Sequence, residues 1–593
     1  MEREHELESI LVADCGSTTT RVALIDLVGD GFRFVAGAET ATTVEVPWSR
    51  LSIGVREAIR EIERLTGRVL LGHQEQLIVP ERDNGSGVDG FVATVNAAVP
   101  LRLAVVGVIR SLSVESLLKA TDSSYVVIQD VVARDDMTAE RGTGSSMQAM
   151  LGNVLQNRHD AILLGGGIDG GAIAPVLEVA QDIATALVAG GEAGRTHVIF
   201  AGNREARPQV AQVLGECSSL HVVDNVLPTL ETEDLGAAEE AIGMLYREHK
   251  MDRVPGFGEL KAWVSTPVLP TAEGFGLVLR YLARLSELDV LGVDVGGATT
   301  QLAGVIDGRY GSTVNAEVGV GYSLGNILEQ VGMDRLLRWL PFEMETEEAH
   351  NLILNKALRP MTIPETMEDL ALEQAAAREA ISLTLERARS RWLNGGSSLH
   401  PGLLPPVDLI VGRGAVLSQA PQPAQTVLML LDGIQPAGVC TLALDKVSLL
   451  PQVGALASVN SLAAAQVVGR DGFLRLGTVI ALAGTGREGS VALQMKVEYD
   501  DGQTIKVEVP YGALEVLPLM PGRKAVVELR PSSQFDVGLG SKGRRATTEV
   551  EGGVVGIIVD ARGRPLVLPG DEGKRRAKIR EWSWELGLLR TTR

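Results

Sequence analysis

The sequence predicts an α/β chain: two duplicated lobes, a parallel α/β module inserted between them, and a C-terminal all-β domain. Three observations lead there. An Asp-Gly-hydroxyl turn between apolar strands occurs twice, at 10–25 (ILVADCGSTTTRVALI) and at 291–305 (LGVDVGGATTQLAGV). Residues 104–249 alternate apolar strands with amphipathic helices, the pattern of a doubly wound parallel sheet. From about residue 475 short alternating strands take over, separated by Asp-Gly and Pro-Gly pairs.

Size and composition narrow the function. At 593 residues the chain exceeds one core, and about 150 residues per domain gives three to five units. Hydrophobic residues at 45% and charged residues at 22% are those of a globular protein. Aromatics at 4% do not suit a stacking surface for single strands, and a net charge of −20 opposes a phosphate-backbone partner, so nucleic acid is not expected. Cys15, Cys217 and Cys440 show no CxxC spacing, which suggests neither zinc nor a disulfide framework and fits a reducing cytoplasm. Cys15 lies inside the first turn, where a buried inert thiol is the plainer reading than an oxidation-sensitive one. The start, MEREHELESI, has no apolar signal core, and no run approaches about 18 apolar residues, so neither export nor a membrane span is expected.

Taken in order, residues 1–104 form the first lobe. After a polar lead-in and the first meander, Leu51, Val55, Ile59 and Ile62 make a helical stripe over 49–66. The inserted module, 105–250, begins on a strand at 103–108, followed by strands at 125–132, 161–164, 197–200 and 221–226, with helices around 114–120, 144–156, 172–189 and 208–215. Its loop at 165–171, GGGIDGG, follows a strand and opens a helix, where open α/β sheets bind ligands. The spacing is not G-x-G-x-x-G, so a turn or a partner-contact loop is the plainer reading.

Residues 251–289 are a connector in which Thr271 caps a helix running to 288, with Glu273 in its first turn. The second lobe, 290–472, holds the second meander, a helix-rich stretch at 345–393, in which the charges of Glu365 to Arg391 are read as coating a solvated helix, and a strand and loop at 407–415. The C-terminal domain, 473–593, has strands at 491–499, 504–509, 525–529 and 556–559. It ends in a basic run and a short helix with Trp582 and Trp584, read as packing back on the strands rather than as a docking tail.

The two turns carry the candidate site. In each an aspartate ends a buried strand and glycines and hydroxyls follow, which sets backbone N–H groups around an anionic pocket beside a carboxylate able to hold a hydrated cation. Asp14 matches Asp294, Gly16 matches Gly296, and Thr19 and Thr20 match Thr299 and Thr300. One such turn is as often only a tight turn. Two, each leading to an Asp-Gly hairpin signal at 30–31 and 307–308, point to duplicated lobes that could close on one polyphosphate and couple its binding to a hinge. A strand–Gly-x-Gly–helix stretch, LIVGRGA at 409–415, follows.

These three motifs resemble those of the actin-like (ribonuclease H-like) ATPase superfamily. With the insert and its GGGIDGG loop, roughly 8–470 is similar to the glutamate (methylaspartate) mutase accessory protein family, unrelated to the mismatch-repair ATPase that shares its letter name. The resemblance implies actin-like lobes, a Rossmann-like insert, and ATP with Mg²⁺ held between the lobes. It implies Asp14 and Asp294 as catalytic and metal-orienting residues, Gly16, Ser17, Thr18, Thr19, Gly296, Gly297, Ala298, Thr299 and Thr300 around the phosphates, and Gly412, Arg413 and Gly414 at the adenosine. It further implies ATP hydrolysis and a chaperone-like role toward a client protein, an adenosylcobalamin-dependent mutase, and leaves a homo-oligomer open.

One departure affects turnover. Gln301 stands at the catalytic position where the family carries Asp, and a neutral amide cannot hold a metal-bound water as a carboxylate does, so binding is expected ahead of hydrolysis. Arg413 and Ala415 also depart from the adenosine loop. No D-x-H-x-x-G cobalamin-ligand pattern is present. Three rival readings remain: a serine hydrolase built on the G-x-S-x-G match at 321–325, with Ser323, His350 and His400; a small-molecule kinase; and a non-hydrolysing actin-type scaffold or filament.

Overall fold

The computed structural model describes residues 7–136, 152, 159–191, 194, 196–393 and 403–588. His400 and, apart from Gly152, the helix expected around 144–156 lie outside them. The fold is mixed α/β with several sheets. It divides into two compact units: Met1–Ala97, Pro255–Thr313 and Glu317–Arg593 form one, and Ala98–Val254 with Val314–Ala316 forms the other.

The first unit opens on β1 (Ser9–Cys15), β2 (Thr19–Val28) and β3 (Gly31–Ala41), an antiparallel meander, with β4 (Gly90–Val95) parallel to β1. Every residue of β1 is buried, as its unbroken apolar run requires of a strand covered on both faces. Val28 pairs with Gly31, so the hairpin turn is Gly29-Asp30, one residue before the expected pair, and Gly29 supplies the positive φ of 67°. Helix Leu51–Thr66 buries the predicted stripe and stops at Gly67, whose φ of 73° is the left-handed C-terminal cap.

The second unit is a five-stranded sheet of β5 (Leu101–Gly107), β6 (Val126–Ala133), β7 (Ala161–Gly165), β8 (His197–Phe200) and β9 (Ser219–Val222). The order is β6-β5-β7-β8-β9 and every pairing is parallel. Helices Glu115–Thr121, Ala174–Ala189 and Arg207–Leu214 lie on crossovers between its strands, and helix Gly236–His249 follows β9. In the loop after β7, Gly167 and Gly170 take positive φ, Asp169 accepts from the Arg204 N–H and the Asn225 amide, and Glu205 accepts from the Gly170 N–H. The loop's own carboxylate and that of Glu205 are thus both already engaged, which suits the turn reading.

The chain re-enters the first unit at Pro255 and passes through helix Phe257–Trp263, β10 (Leu269–Pro270), which joins β4, and helix Thr271–Ser286. Then follow β11 (Val290–Val295), β12 (Thr300–Ile306), β13 (Arg309–Asn315), β14 (Leu409–Arg413) and β15 (Gly438–Leu444). β11 and β12 are antiparallel, β13 lies beside β12, and β14 is parallel to β11, which repeats the connectivity of β1 to β4. Here the turn is Asp307-Gly308 as expected, with φ of 51° and 71°.

The stretch from 473 onward does not stand apart. Strands β16 (Leu474–Ala481), β17 (Val491–Tyr499), β18 (Thr504–Pro510), β19 (Leu514–Leu517), β20 (Lys524–Pro531), β21 (Ala546–Glu551) and β22 (Gly556–Asp560) divide between two sheets. β16, β22 and β19 extend the sheet of β11 to β15 into eight strands, and β18-β17-β20-β21 form a separate sheet of four. The reason lies in burial: β22 is covered along its whole length and β16 over its last six residues, so they need layers on both faces and become interior strands. Helix Glu572–Glu585 packs Trp582 against this sheet, its Nε1 donating to the Gly512 carbonyl at 2.9 Å, while Trp584 is exposed. Among the described residues no helix is long and apolar enough to cross a membrane.

Candidate functional site

The two repeated turns close in the same way. The Gly16 N–H donates to the Thr19 carbonyl at 3.0 Å and the Gly296 N–H to the Thr299 carbonyl at 2.8 Å. A Cβ on Gly16 would meet the Thr19 oxygen at 2.9 Å and one on Gly296 would meet the Thr299 oxygen at 3.0 Å, so both positions exclude larger residues for the same reason. The turns also face each other: a Cβ on Gly297 would lie 2.7 Å from Thr18 Cγ2.

Between them is a cleft of ≈ 360 Å³ lined by Asp14, Gly16, Ser17, Thr18 and Thr19 from the first turn, Asp294, Gly296, Gly297 and Thr299 from the second, and Arg413 and Gly414. Ala298, Thr300, Gly412 and Gln301 are not part of this lining. Gln301 is buried, and its amide donates to the Ala272 carbonyl at 3.0 Å and to Ser312 Oγ at 3.2 Å. It therefore acts as a packing residue between helix Thr271–Ser286 and β13.

The cleft floor is an ion cluster. Arg413, the last residue of β14, donates Nη2 to Asp14 Oδ2 at 2.5 Å and Nη1 to Asp294 Oδ2, and its Nε lies 3.4 Å from Asp445 Oδ2. Asp14 Oδ1 accepts from Thr94 at 2.8 Å and Thr271 at 2.7 Å. Asp445 accepts from the N–H groups of Leu449 at 2.8 Å and Leu450 at 3.0 Å. Burial opposes the Arg413 charge, but Asp294, Asp14 and Asp445 outweigh it and hold the guanidinium above its ordinary range. For Asp445 burial wins over Arg413 and pushes the carboxyl up to about 6.

This arrangement decides which groups fit. The Gly-rich turns, with Ser17, Thr18, Thr19 and Thr299 among their residues, suit a phosphoanion. The aspartates as they stand do not fit a hydrated Mg²⁺, because a guanidinium engages both carboxylates. Among the described residues no group of three or more His, Cys, Asp or Glu could hold a metal ion.

Several site residues went unnoticed in the sequence. Asp445 carries the same signal as Asp14 and Asp294, an acidic residue following a buried apolar strand, and could have been found by it. Thr271, expected as a helix cap, instead donates its hydroxyl to Asp14. Thr94 and the wall formed by Lys356, Met361, Ile363, Leu370 and Glu373 carry no motif. Ser323 donates to the Ala298 carbonyl at 2.7 Å, so its hydroxyl proton is engaged by the backbone; His400 lies outside the described residues.

The model of the MutL protein family matches residues 10–471. The chain belongs to that family. Protein MutL of Clostridium tetanomorphum is 24% identical over 448 residues, covering 71% of this chain and 88% of that protein. Among solved structures, the chain is similar to component A of (R)-2-hydroxyglutaryl-CoA dehydratase from Acidaminococcus fermentans, at 10% identity, 77% and 97% coverage and a TM-score of 0.24. It is also similar to the nucleotide-free diol dehydratase-reactivating factor, at 11% identity, 76% and 100% coverage and a TM-score of 0.30. Likenesses at such TM-scores carry no argument about function.

Proposed function

We propose that the chain is an ATP-binding accessory protein with two actin-like lobes, a Rossmann-like insert and a β-rich C-terminal part, acting in the cytoplasm on a client enzyme of the adenosylcobalamin-dependent mutase class. One observation carries the nucleotide reading: both repeated turns line one cleft. Ser17, Thr18, Thr19, Gly296, Gly297 and Thr299 hold the phosphates through backbone N–H groups and hydroxyls, and Gly414 adjoins the nucleoside. Membership of the MutL protein family, together with the motif resemblance described above, supports the accessory role.

The activity proposed is binding with conformational coupling: ligand between the turns biases the opening of the lobes, and the 98–254 unit is the part offered to the client. A non-hydrolysing role is favoured because the Gln301 amide is engaged in packing. The test is calorimetric titration with ATP, with phosphate release followed in parallel, on wild type and on Ser17→Ala and Thr299→Val. Wild type is expected to bind one ATP, and each variant to bind about tenfold more weakly through loss of a charge-assisted hydrogen bond. Wild type that takes up no ATP excludes the reading.

A further inference from the structure

The space between Asp14 and Asp294, where the motif resemblance places a hydrated divalent ion, is filled by a side chain. Asp294 and Arg413 are register partners on the parallel pair β11 and β14, so the arginine is delivered to the end of the strand that carries the aspartate. Gly414 fixes the approach: its φ is 102°, and a Cβ there would lie 2.1 Å from the Val295 carbonyl oxygen. Three carboxylates, Asp14, Asp294 and Asp445, surround the guanidinium, whose side chain is 5% exposed and lines the cleft. The other oxygen of Asp14 is held by Thr94 and Thr271.

Magnesium keeps water or oxygen ligands at about 2.1 Å in near-octahedral order. Reaching Asp14 Oδ2 and Asp294 Oδ2 would require expelling Arg413 from a cage where burial opposes its charge but three carboxylates outweigh that. The guanidinium is a fixed cation with five donors; Nη1 gives one to Asp294 and Nη2 one to Asp14, and the second N–H of each remains for a phosphate oxygen.

We infer that Arg413 is the resident cation of this cleft, so that the chain takes the phosphate groups of its nucleotide without a divalent metal. The inference rests on the nucleotide reading of the cleft. Its consequence is binding without turnover, because a divalent metal would supply the neutralisation of developing charge on which phosphoryl transfer relies.

The test is titration of the full chain with ATP in Mg²⁺ and, separately, in EDTA. The dissociation constants should agree within about threefold. Binding in Mg²⁺ that vanishes in EDTA overturns the inference and leaves the nucleotide reading standing; no binding in either buffer overturns both. Arg413→Ala gives an independent readout. In EDTA it should bind ATP about tenfold more weakly or worse, and it should gain an ATP-dependent bound Mn²⁺, detected by electron paramagnetic resonance, that wild type lacks. Arg413→Lys should keep EDTA binding better than Arg413→Ala. Undiminished EDTA binding by Arg413→Ala contradicts the role of the arginine. Should that variant fail to fold, the wild-type comparison decides alone.

Discussion

Arg413 donates to Asp14 at 2.5 Å across 399 positions of sequence, tying the end of β14 to the end of β1. Both groups are buried, so the contact bears on stability as well as on ligand binding. Asp14→Ala removes one of three counter-charges, takes the acceptor from the Thr271 hydroxyl and leaves Thr94 only the Ala13 carbonyl at 3.4 Å. A cost of about 3–5 kcal/mol is expected, as for breaking other buried pairs. Chemical unfolding should show it as a lower midpoint; an unchanged midpoint contradicts the pairing.

Two glycine substitutions should behave differently. Gly414→Ala places a Cβ against the backbone oxygen of Val295 at a φ unsuited to L side chains, so the variant should be poorly folded. Gly297→Ala meets the Thr18 side chain rather than backbone, and that side chain can turn aside, so it should fold with a near-native melting temperature. It should nevertheless bind ATP about tenfold more weakly, because the methyl enters the cleft. Circular dichroism melting and ATP titration of the pair check this.

The three cysteines are free and buried. Burial, reinforced by Asp14, drives the Cys15 thiol far above its ordinary range, and burial pushes Cys440 up to about 12. Burial also raises Cys217. Since the thiolate is the reactive form, an aromatic disulfide reagent at pH 8 should leave the native protein unlabelled for minutes and label three thiols after denaturation. Rapid native labelling of Cys15 would revive the oxidation-sensitive reading.

Where β22 ends, Asp560 is fully buried against Arg562 and Arg564, and Arg562 also reaches Asp432 at 2.8 Å. Burial alone would raise the Asp560 carboxyl, but the two guanidiniums overcome it and hold the group well below its ordinary value of 3.8. A depressed folded value means that the unfolded chain takes up the proton first. The stabilisation is therefore present above about pH 4 and is lost as pH falls through the folded value. Asp560→Asn should be less stable than wild type at pH 7, with the gap narrowing below about pH 4. A gap independent of pH contradicts the assignment.

The paired turns were legible because their constraint is local: a glycine before a hydroxyl, at the end of an apolar strand, marks each copy separately. What the sequence hid was mostly long-range. Arg413 was visible as a departure from the adenosine loop, but its contact with Asp14 depends on β14 lying beside β11. Gln301 was visible as a substitution, whereas its packing against Ala272 and Ser312 follows from how helix Thr271–Ser286 crosses the sheet. The composition change near 475 was real, yet alternation alone does not say which sheet a strand joins, and the covered strands β16 and β22 joined the earlier one. Asp445 was missed although its signal was present.

The central claim is that one ligand lies between the two turns. Hydrogen–deuterium exchange with and without ATP tests it on the unaltered protein. The account predicts slower exchange in peptides covering both 14–20 and 294–300 on adding ATP. Protection of neither turn, or of one alone, contradicts it.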